Sequence, residues 1–576
     1  MKDLAVMGVR EAIGLVSGSR ARLSIWRARR RSSPGWTAIV AVIVAIMLLP
    51  VGAVVFLALT PDDNAWPHLM SSVLPYALGQ TLLLAAGTGA VSLVIGTSTA
   101  WLVTMYRFPG RAILDRLLVL PLAIPTYIVA YCYAELLDYA GPLQTELRAV
   151  FGWTSARDYW FPNIRSIGGA IFVISMVLYP YVYLAARASF VQQSVCALEV
   201  ARTLGRTPMG AFWSVALPLS RPALAAGAAL VLMEGLNDLG AVQHLGVETL
   251  SASIYATWLQ RSNLAGAAQL ASVLLGFVFV LFAVERLARG AGKVHHTTSR
   301  YRAIPFQDIE GVRGYGAAAL CALPFLAGFV LPCWVLIGYA AGHVTVALEG
   351  GFLAAAMNSL LLATVSAVIA VALGLIIGYA RRVAANGFTR PAVRLAGLGY
   401  ALPGTVLAIG ILTPLAWVDN RIDAIARDVF GYSTGLILSG SIAALTYAYV
   451  VRFLAVALGG IDAGLERISP NLDAAARALG ATAMVTLWRV HLPLVVPALG
   501  SAGLLVFVDA MKELPATLLL RPFNFETLAT HVYGFAALEQ IEGGALGALT
   551  IVLIGLVPLI ILHQAVAGGR AGRTAS

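Results

Sequence analysis

A chain of 576 residues with 59% hydrophobic and only 12% charged residues carries too little charge to stay in solution as a globular domain. Apolar stretches of about 20 residues, the length a helix needs to cross a bilayer, recur from end to end. The net charge of +11 does not argue for nucleic acid, because the basic residues cluster between the apolar stretches, where topology accounts for them.

Residues 1–36 form a basic tail that ends in Arg27, Arg29, Arg30 and Arg31, only superficially like a twin-arginine signal. The run Thr37–Leu59 is too long for a signal-peptide core and no convincing cleavage site follows, so it is expected to be a retained first helix. The spacing predicts five more spans in a first transmembrane domain (residues 37–289), over Leu78–Met105, Leu117–Leu137, Gly168–Ala188, Pro222–Leu245 and Ala265–Ala283. A polar, basic linker follows at residues 290–312. A second domain (residues 313–563) is predicted to span at Gly316–Gly342, Leu353–Ala380, Leu395–Trp417, Thr434–Leu458, Leu494–Leu520 and Leu546–His563, before a tail at 564–576. The fold class that follows is an all-α polytopic membrane protein of about twelve transmembrane helices. Cys132, Cys196, Cys321 and Cys333 form no C-x-x-C pair, which leaves neither a disulfide framework nor a zinc site.

Charge orients the spans. With the N-terminus in the cytoplasm, the cytoplasmic segments hold Arg107, Arg111 and Arg116; Arg202, Arg206 and Arg221; Lys293, Arg300, Arg302 and Arg313; Arg381, Arg382, Arg390 and Arg394; Arg477 and Arg489; and Arg570 and Arg573. The opposite loops are expected to hold Asp62, Asp63, Asp138, Glu146, Asp419 and Asp423. An even number of spans returns the C-terminus to the cytoplasm.

The chain repeats itself. Gln80-Thr81-Leu82-Leu83-Leu84-Ala85 answers Asn358-Ser359-Leu360-Leu361-Leu362-Ala363 at an offset of 278, as do Gly96 and Gly374, Pro125 and Pro403, and Glu248-Thr249-Leu250 and Glu526-Thr527-Leu528. Six spans per copy give both copies one orientation, so the duplication is parallel and a path between the halves follows naturally.

Between the fourth and fifth spans of each half lies a patterned cytoplasmic segment. It reads Glu199-Val200-Ala201-Arg202-Thr203-Leu204-Gly205, then Val215-Ala216-Leu217-Pro218. In the second half it reads Ala474-Ala475-Ala476-Arg477-Ala478-Leu479-Gly480, then Val490-His491-Leu492-Pro493, at an offset of 275. A short helix should end at each glycine in a left-handed cap. A second short helix should begin with Thr207 as cap and Pro208 at its first position, and Leu-Pro should redirect the chain into the membrane. After each Leu-Pro come acids at membrane depth: Glu234 and Asp238, matched at the same offset by Asp509 and Glu513, with Lys512 between the latter two. Each pair is spaced i, i+4 and would share a helix face. Ionisable groups in a span cost roughly 2.5–3.5 kcal/mol each on insertion scales, which marks them as functional candidates. Two readings stand: a ring of carboxylates facing a cation path, or acids satisfied by Lys512 and backbone donors at a helix break. Transient passage needs weak binding, so no stable metal site is expected.

The paired segments resemble the E-A-A-x-x-x-G…L-P coupling signature of permeases in binding-protein-dependent ATP-binding-cassette (ABC) importers. Phe108-Pro109-Gly110-Arg111, Leu120 to Tyr127, Tyr179 to Leu184, Leu232-Met233-Glu234, Ile254 to Trp258, and Lys512 to Pro522 look like the ferric-iron permease family in its fused form. That resemblance implies two tandem six-helix type I importer halves in a bacterial inner membrane. It implies two copies of an ABC ATPase beneath, a periplasmic Fe(III)-binding protein above, and ATP-driven alternating access. The family's coupling contacts map onto Glu199, Ala201, Arg202, Gly205, Leu217 and Pro218, and onto Asp473, Ala475, Ala476, Arg477, Gly480, Leu492 and Pro493. The second copy departs from the family, with Ala474 where Glu is expected and Asp473 one residue earlier. No G-x-x-x-x-G-K-[ST] motif occurs, so the chain is expected to bind no cofactor, with ATP and Mg on the partner, and to be no enzyme. Thiamine or another small solute is an alternative cargo. An ion-coupled secondary transporter is the rival class, and the paired coupling segments argue against it.

Overall fold

A computed structural model describes residues 34–61, 64–192, 205–289, 306–343, 351–384, 386 and 388–568. The basic tail through residue 33, the linker through residue 305, the tail beyond residue 568, Asp62, Asp63 and Cys196 lie outside these residues. The first copy runs α1 (Pro34–Leu59), α2 (Trp66–Met105), α3 (Arg111–Leu117), α4 (Thr126–Leu137), α5 (Pro142–Phe151), α6 (Ile167–Gln192), α7 (Met209–Asn237), α8 (Gly240–His244), α9 (Leu250–Tyr255) and α10 (Leu264–Arg289). The second runs α11 (Gly311–Gly342), α12 (Phe352–Val383), α13 (Thr389–Ala396), α14 (Gly404–Phe430), α15 (Ile442–Glu466), α16 (Pro470–Ala478), α17 (Ala483–Met511), α18 (Pro515–Leu520), α19 (Leu528–Ala537) and α20 (Ile541–Gly568).

Among the described residues ten helices are long and apolar enough to cross a bilayer, or twelve if two bent pairs each count as one span. The bent pairs fall at the expected spans Leu117–Leu137 and Leu395–Trp417. The chain turns by 93° between Ala123 and Thr126 and by 113° between Ala401 and Gly404. The cause is the matched prolines. A residue before proline avoids the helical region, and Pro125 and Pro403 adopt the same extended conformation, ψ 141° in both, as they start α4 and α14. The acids expected in loops at Glu146, Asp419 and Asp423 lie instead within α5 and α14.

Leu-Pro does not redirect the chain as expected. Leu74-Pro75, Leu217-Pro218, Leu331-Pro332 and Leu492-Pro493 each follow a five-residue π-turn within one continuous helix. In each, the leucine amide donates to the carbonyl five residues back. Proline offers no amide and its ring crowds the carbonyl four residues back, so a widened turn lets the helix pass through it.

The chain forms two compact units. One comprises Met1–Leu49, Thr364–Tyr400 and Tyr449–Phe507; the other comprises Pro50–Ala363, Ala401–Ala448 and Val508–Ser576. In the larger unit α2 crosses α6 at Gly96, where a Cβ would stand 2.7 Å from Val182 Cβ and 2.8 Å from Tyr183 N. In the smaller unit the matched Gly374 of α12 faces α15 less tightly, where a Cβ would stand 2.9 Å from the side-chain tip Ile461 Cδ1 and 3.6 Å from the backbone at Ala457 C. Small residues let backbones approach where lipid supplies no hydrophobic drive between helices.

Two further matches lie inside the larger unit. Leu250 N donates to Thr81 Oγ1 at 2.9 Å, and Leu528 N donates to Ser359 Oγ at 2.7 Å. The end of the linker is also held there, with Tyr106–Arg107 (β1) pairing in parallel with Gln307–Asp308 (β2) and Arg111 stacked on Phe306 at 3.9 Å.

Candidate functional site

The expected spans through Pro222–Leu245 and Leu494–Leu520 are broken. Helix α7 ends at Asn237, Asp238 is extended (φ −72°, ψ 108°), and α8 starts at Gly240. Helix α17 ends at Met511 and α18 starts at Pro515. A carboxylate caps each new start. Ala241 N donates to Asp238 Oδ1 at 2.9 Å, and Ala516 N donates to Glu513 Oε1 at 3.1 Å, the same position at the offset of 275. Glu513 Oε2 also accepts from Thr517 N at 3.1 Å and Thr517 Oγ1 at 2.8 Å. Amide donors at a helix start hold a negative charge that lipid would reject.

The two breaks meet. A Cβ on Gly240 would lie 2.7 Å from Leu514 Cδ2 and 2.7 Å from Tyr127 Cβ. Gly404 N, at the start of α14, donates to Asn237 Oδ1 at 2.7 Å, and a Cβ on Gly404 would lie 2.9 Å from Glu513 Oε1. Tyr127 and Tyr131 of α4 are buried here, and their hydroxyls have no hydrogen-bond partner among the described residues.

The acids therefore form no open ring. Asp238 and Glu513 are buried caps beyond the helix ends, so neither shares a helix face with its i−4 partner. Lys512 Nζ stands 3.0 Å from Asp509 Oδ1, with both side chains about three-quarters buried (23% and 24% exposed), and Glu234 is half-buried within electrostatic reach of Lys512. Sequence reasoning missed Asn237, Gly404 and the two tyrosines. The signal available was that Asn237 matches Lys512 at the offset of 275, a polar residue at both breaks.

At the segments expected to couple, Glu199, Ala201 and Arg202 lie outside the described residues. Gly205 and Gly480 take the left-handed conformation, φ 82° and 75°. Thr207 caps the next turn, accepting from Gly210 N at 3.1 Å, and Thr482 does so from Val485 N at 3.4 Å. Leu217, Leu492 and Pro218 are half-buried, and Pro493 is exposed. On α16, Ala475 and Arg477 are exposed and Ala476 is buried, and Leu479 just past its end is exposed. Met209 and Trp213 are exposed at 57% and 63%, and so are their counterparts Met484 and Trp488 at 52% and 62%. Asp473, mapped onto the coupling contacts, is partly buried. It turns inward, 2.8 Å from Arg382 Nε and 2.6 Å from His491 Nε2.

Residues 92–291 match the family described as binding-protein-dependent transport system inner membrane component. The chain is 25% identical over 492 residues to the Fe(3+)-transport system permease protein FbpB 2 of Haemophilus influenzae, covering 84% of this chain and 88% of that one. It is 24% identical over 521 residues to the ferric transport system permease protein FbpB of Actinobacillus pleuropneumoniae, covering 85% and 71%. The sulfate transport system permease protein CysT of Escherichia coli is 28% identical over 281 residues, 46% of this chain but 96% of its own length, as a permease of half the size should be. Duplicated halves, broken fifth spans and similarity through both halves agree: the chain is similar to permeases of binding-protein-dependent transport systems, the ferric transport permeases among them.

Proposed function

We propose that this permease moves Fe(III) from periplasm to cytoplasm by ATP-driven alternating access. The observation that carries the cargo assignment is coverage. Relatives named for ferric transport align with 84% and 85% of the chain, whereas the sulfate permease aligns with 46%. Two copies of an ABC ATPase work beneath it, and a periplasmic Fe(III)-binding protein delivers the cargo. ATP and Mg belong to the ATPase, and this chain carries out no covalent chemistry. Both termini and the linker face the cytoplasm of an inner membrane. Residues 37–289 and 313–563 act as the two permease domains.

In this reading the two coupling segments take the ATPase's stroke, with Glu199 as the charged contact of the first and Gly205 and Gly480 shaping both. The meeting point of the breaks at Asp238 and Glu513 closes the path, and Glu234, Asp509 and Lys512 line its approach. Separating the breaks would open it without unwinding a helix, since each break is already capped from its own side.

Reconstitution with the ATPase and the loaded binding protein tests the proposal. ATP-dependent accumulation of Fe(III), unaffected by excess sulfate or thiamine and by collapse of the proton gradient, is the expected result. The Glu199→Lys variant should keep a folded bundle and lose uptake. Proton-driven uptake indifferent to ATP would establish the rival secondary transporter, and uptake of sulfate or thiamine in place of iron would reassign the cargo.

A further inference from the structure

We propose that Asp473, Arg382 and His491 form an internal latch that makes the second coupling helix move as one piece with its own bundle. The proposal rests on the coupling role given above to the segment that carries α16.

Helix α16 has almost no apolar grip, since Ala476 is its only buried residue. Its tie is polar. Asp473 in its first turn accepts from Arg382 Nε through Oδ2 at 2.8 Å and from His491 Nε2 through Oδ1 at 2.6 Å. A ring nitrogen facing a carboxylate at this distance must carry a proton, whatever the charge of the ring. Arg382, at the end of α12, also donates to Leu465 O at 2.6 Å and Ile468 O at 2.9 Å, the carbonyls where α15 finishes. His491 lies in the π-turn of α17 and is fully buried. One cluster thus joins α12, α15, α16 and α17. Its charges suit the helix ends, with an acid at the start of α16 and a cation at the close of α15. Tyr379 packs edge-on to His491 at 5.3 Å and donates to Ala483 O at 2.6 Å, so the start of α17 is held to α12 as well.

The three latch residues have no ionisable counterparts in the first half. At the repeat offsets Asp473 corresponds to Leu198, His491 to Ala216 and Arg382 to Thr104, none of which can form an ion pair. The second segment is also the one that lacks the glutamate at its family position, where Ala474 stands. The geometry gives its neighbour Asp473 an internal task in place of an intersubunit one. A push on α16 then reaches three spans through charge-assisted bonds, which are shorter and stronger than neutral ones.

The test is the ratio of Fe(III) delivered to ATP hydrolysed by the assembled complex in vesicles, with radiolabelled Fe(III) on the binding protein as probe. Asp473→Asn keeps the shape and removes the charge, and should lower the ratio about tenfold while hydrolysis continues. Arg382→Lys keeps the charge and loses the fork, lowering the ratio about threefold, and it serves if Asp473→Asn does not assemble. A ratio equal to wild type in the assembled variants overturns the latch, including the case where hydrolysis and uptake fall together, which is what a purely structural cluster would give. Failure of the functional proposal looks different: the wild-type complex itself would then deliver no Fe(III) on ATP.

Discussion

At the level of single residues, the four membrane acids divide by what their oxygens touch. Asp238 and Glu513 are occupied by amides of the helices they start, whereas Asp509 is held by one cation, Lys512. An ion pair about three-quarters buried stabilises little on balance, yet losing one partner leaves a charge without compensation. Asp509→Asn should therefore destabilise the protein by about 2 kcal/mol, and adding Lys512→Met should restore most of that loss. Thermal inactivation of the purified permease and both variants measures the cycle. Additive losses would show that the two side chains do not depend on each other. The acids were legible in the sequence because charge in an apolar run is conspicuous. One reading already had the acids satisfied by Lys512 and backbone donors at a helix break; which acid takes which partner was not legible, because helical spacing assumes an unbroken helix, and both helices stop one or two residues before the second acid. The partners of Asp473 were not legible for a related reason: they lie 91 and 18 positions away, and no local pattern announces them.

At the level of elements, the repeat is written in hydrogen bonds as well as letters. The matched stretches around Thr81 and Ser359, and around Leu250 and Leu528, were visible as strings. The structure explains the match, since one hydroxyl in each half receives the first amide of α9 or α19. Those amides are buried, so removing the acceptor leaves a donor with nothing to bond. Thr81→Val and Ser359→Ala should each cost about 1–3 kcal/mol, and by similar amounts, because the two sites are copies. Unfolding in a graded denaturant series checks this, and a loss confined to one half would mean the bonds are not equivalent. The π-turns were not legible. Leu-Pro reads as a helix boundary, and only the wider ring of the preceding turn turns four such boundaries into continuous helices.

At the level of the whole molecule, the functional proposal stands on which surfaces share a side of the membrane. The basic segments are assigned to the cytoplasm from arginine counts, and Gly205 and Gly480, proposed to shape the coupling segments, lie among them. Trp160 sits in the segment between α5 and α6, assigned to the opposite side, and is 86% exposed; Leu479, beside Gly480, is 87% exposed. In a chain made free of cysteine, Trp160→Cys and Leu479→Cys place one reporter thiol on each face without disturbing packing. A membrane-impermeant maleimide added to intact spheroplasts should label position 160 fully and position 479 only after the membrane is opened. Met209→Cys, exposed beside the first coupling segment, should behave as position 479 does. Two duplicated segments can receive the stroke of a single pair of ATPases only from one side. Labelling of positions 209 and 479 from opposite faces would therefore make the halves antiparallel and remove the coupling mechanism, however well the helices pack.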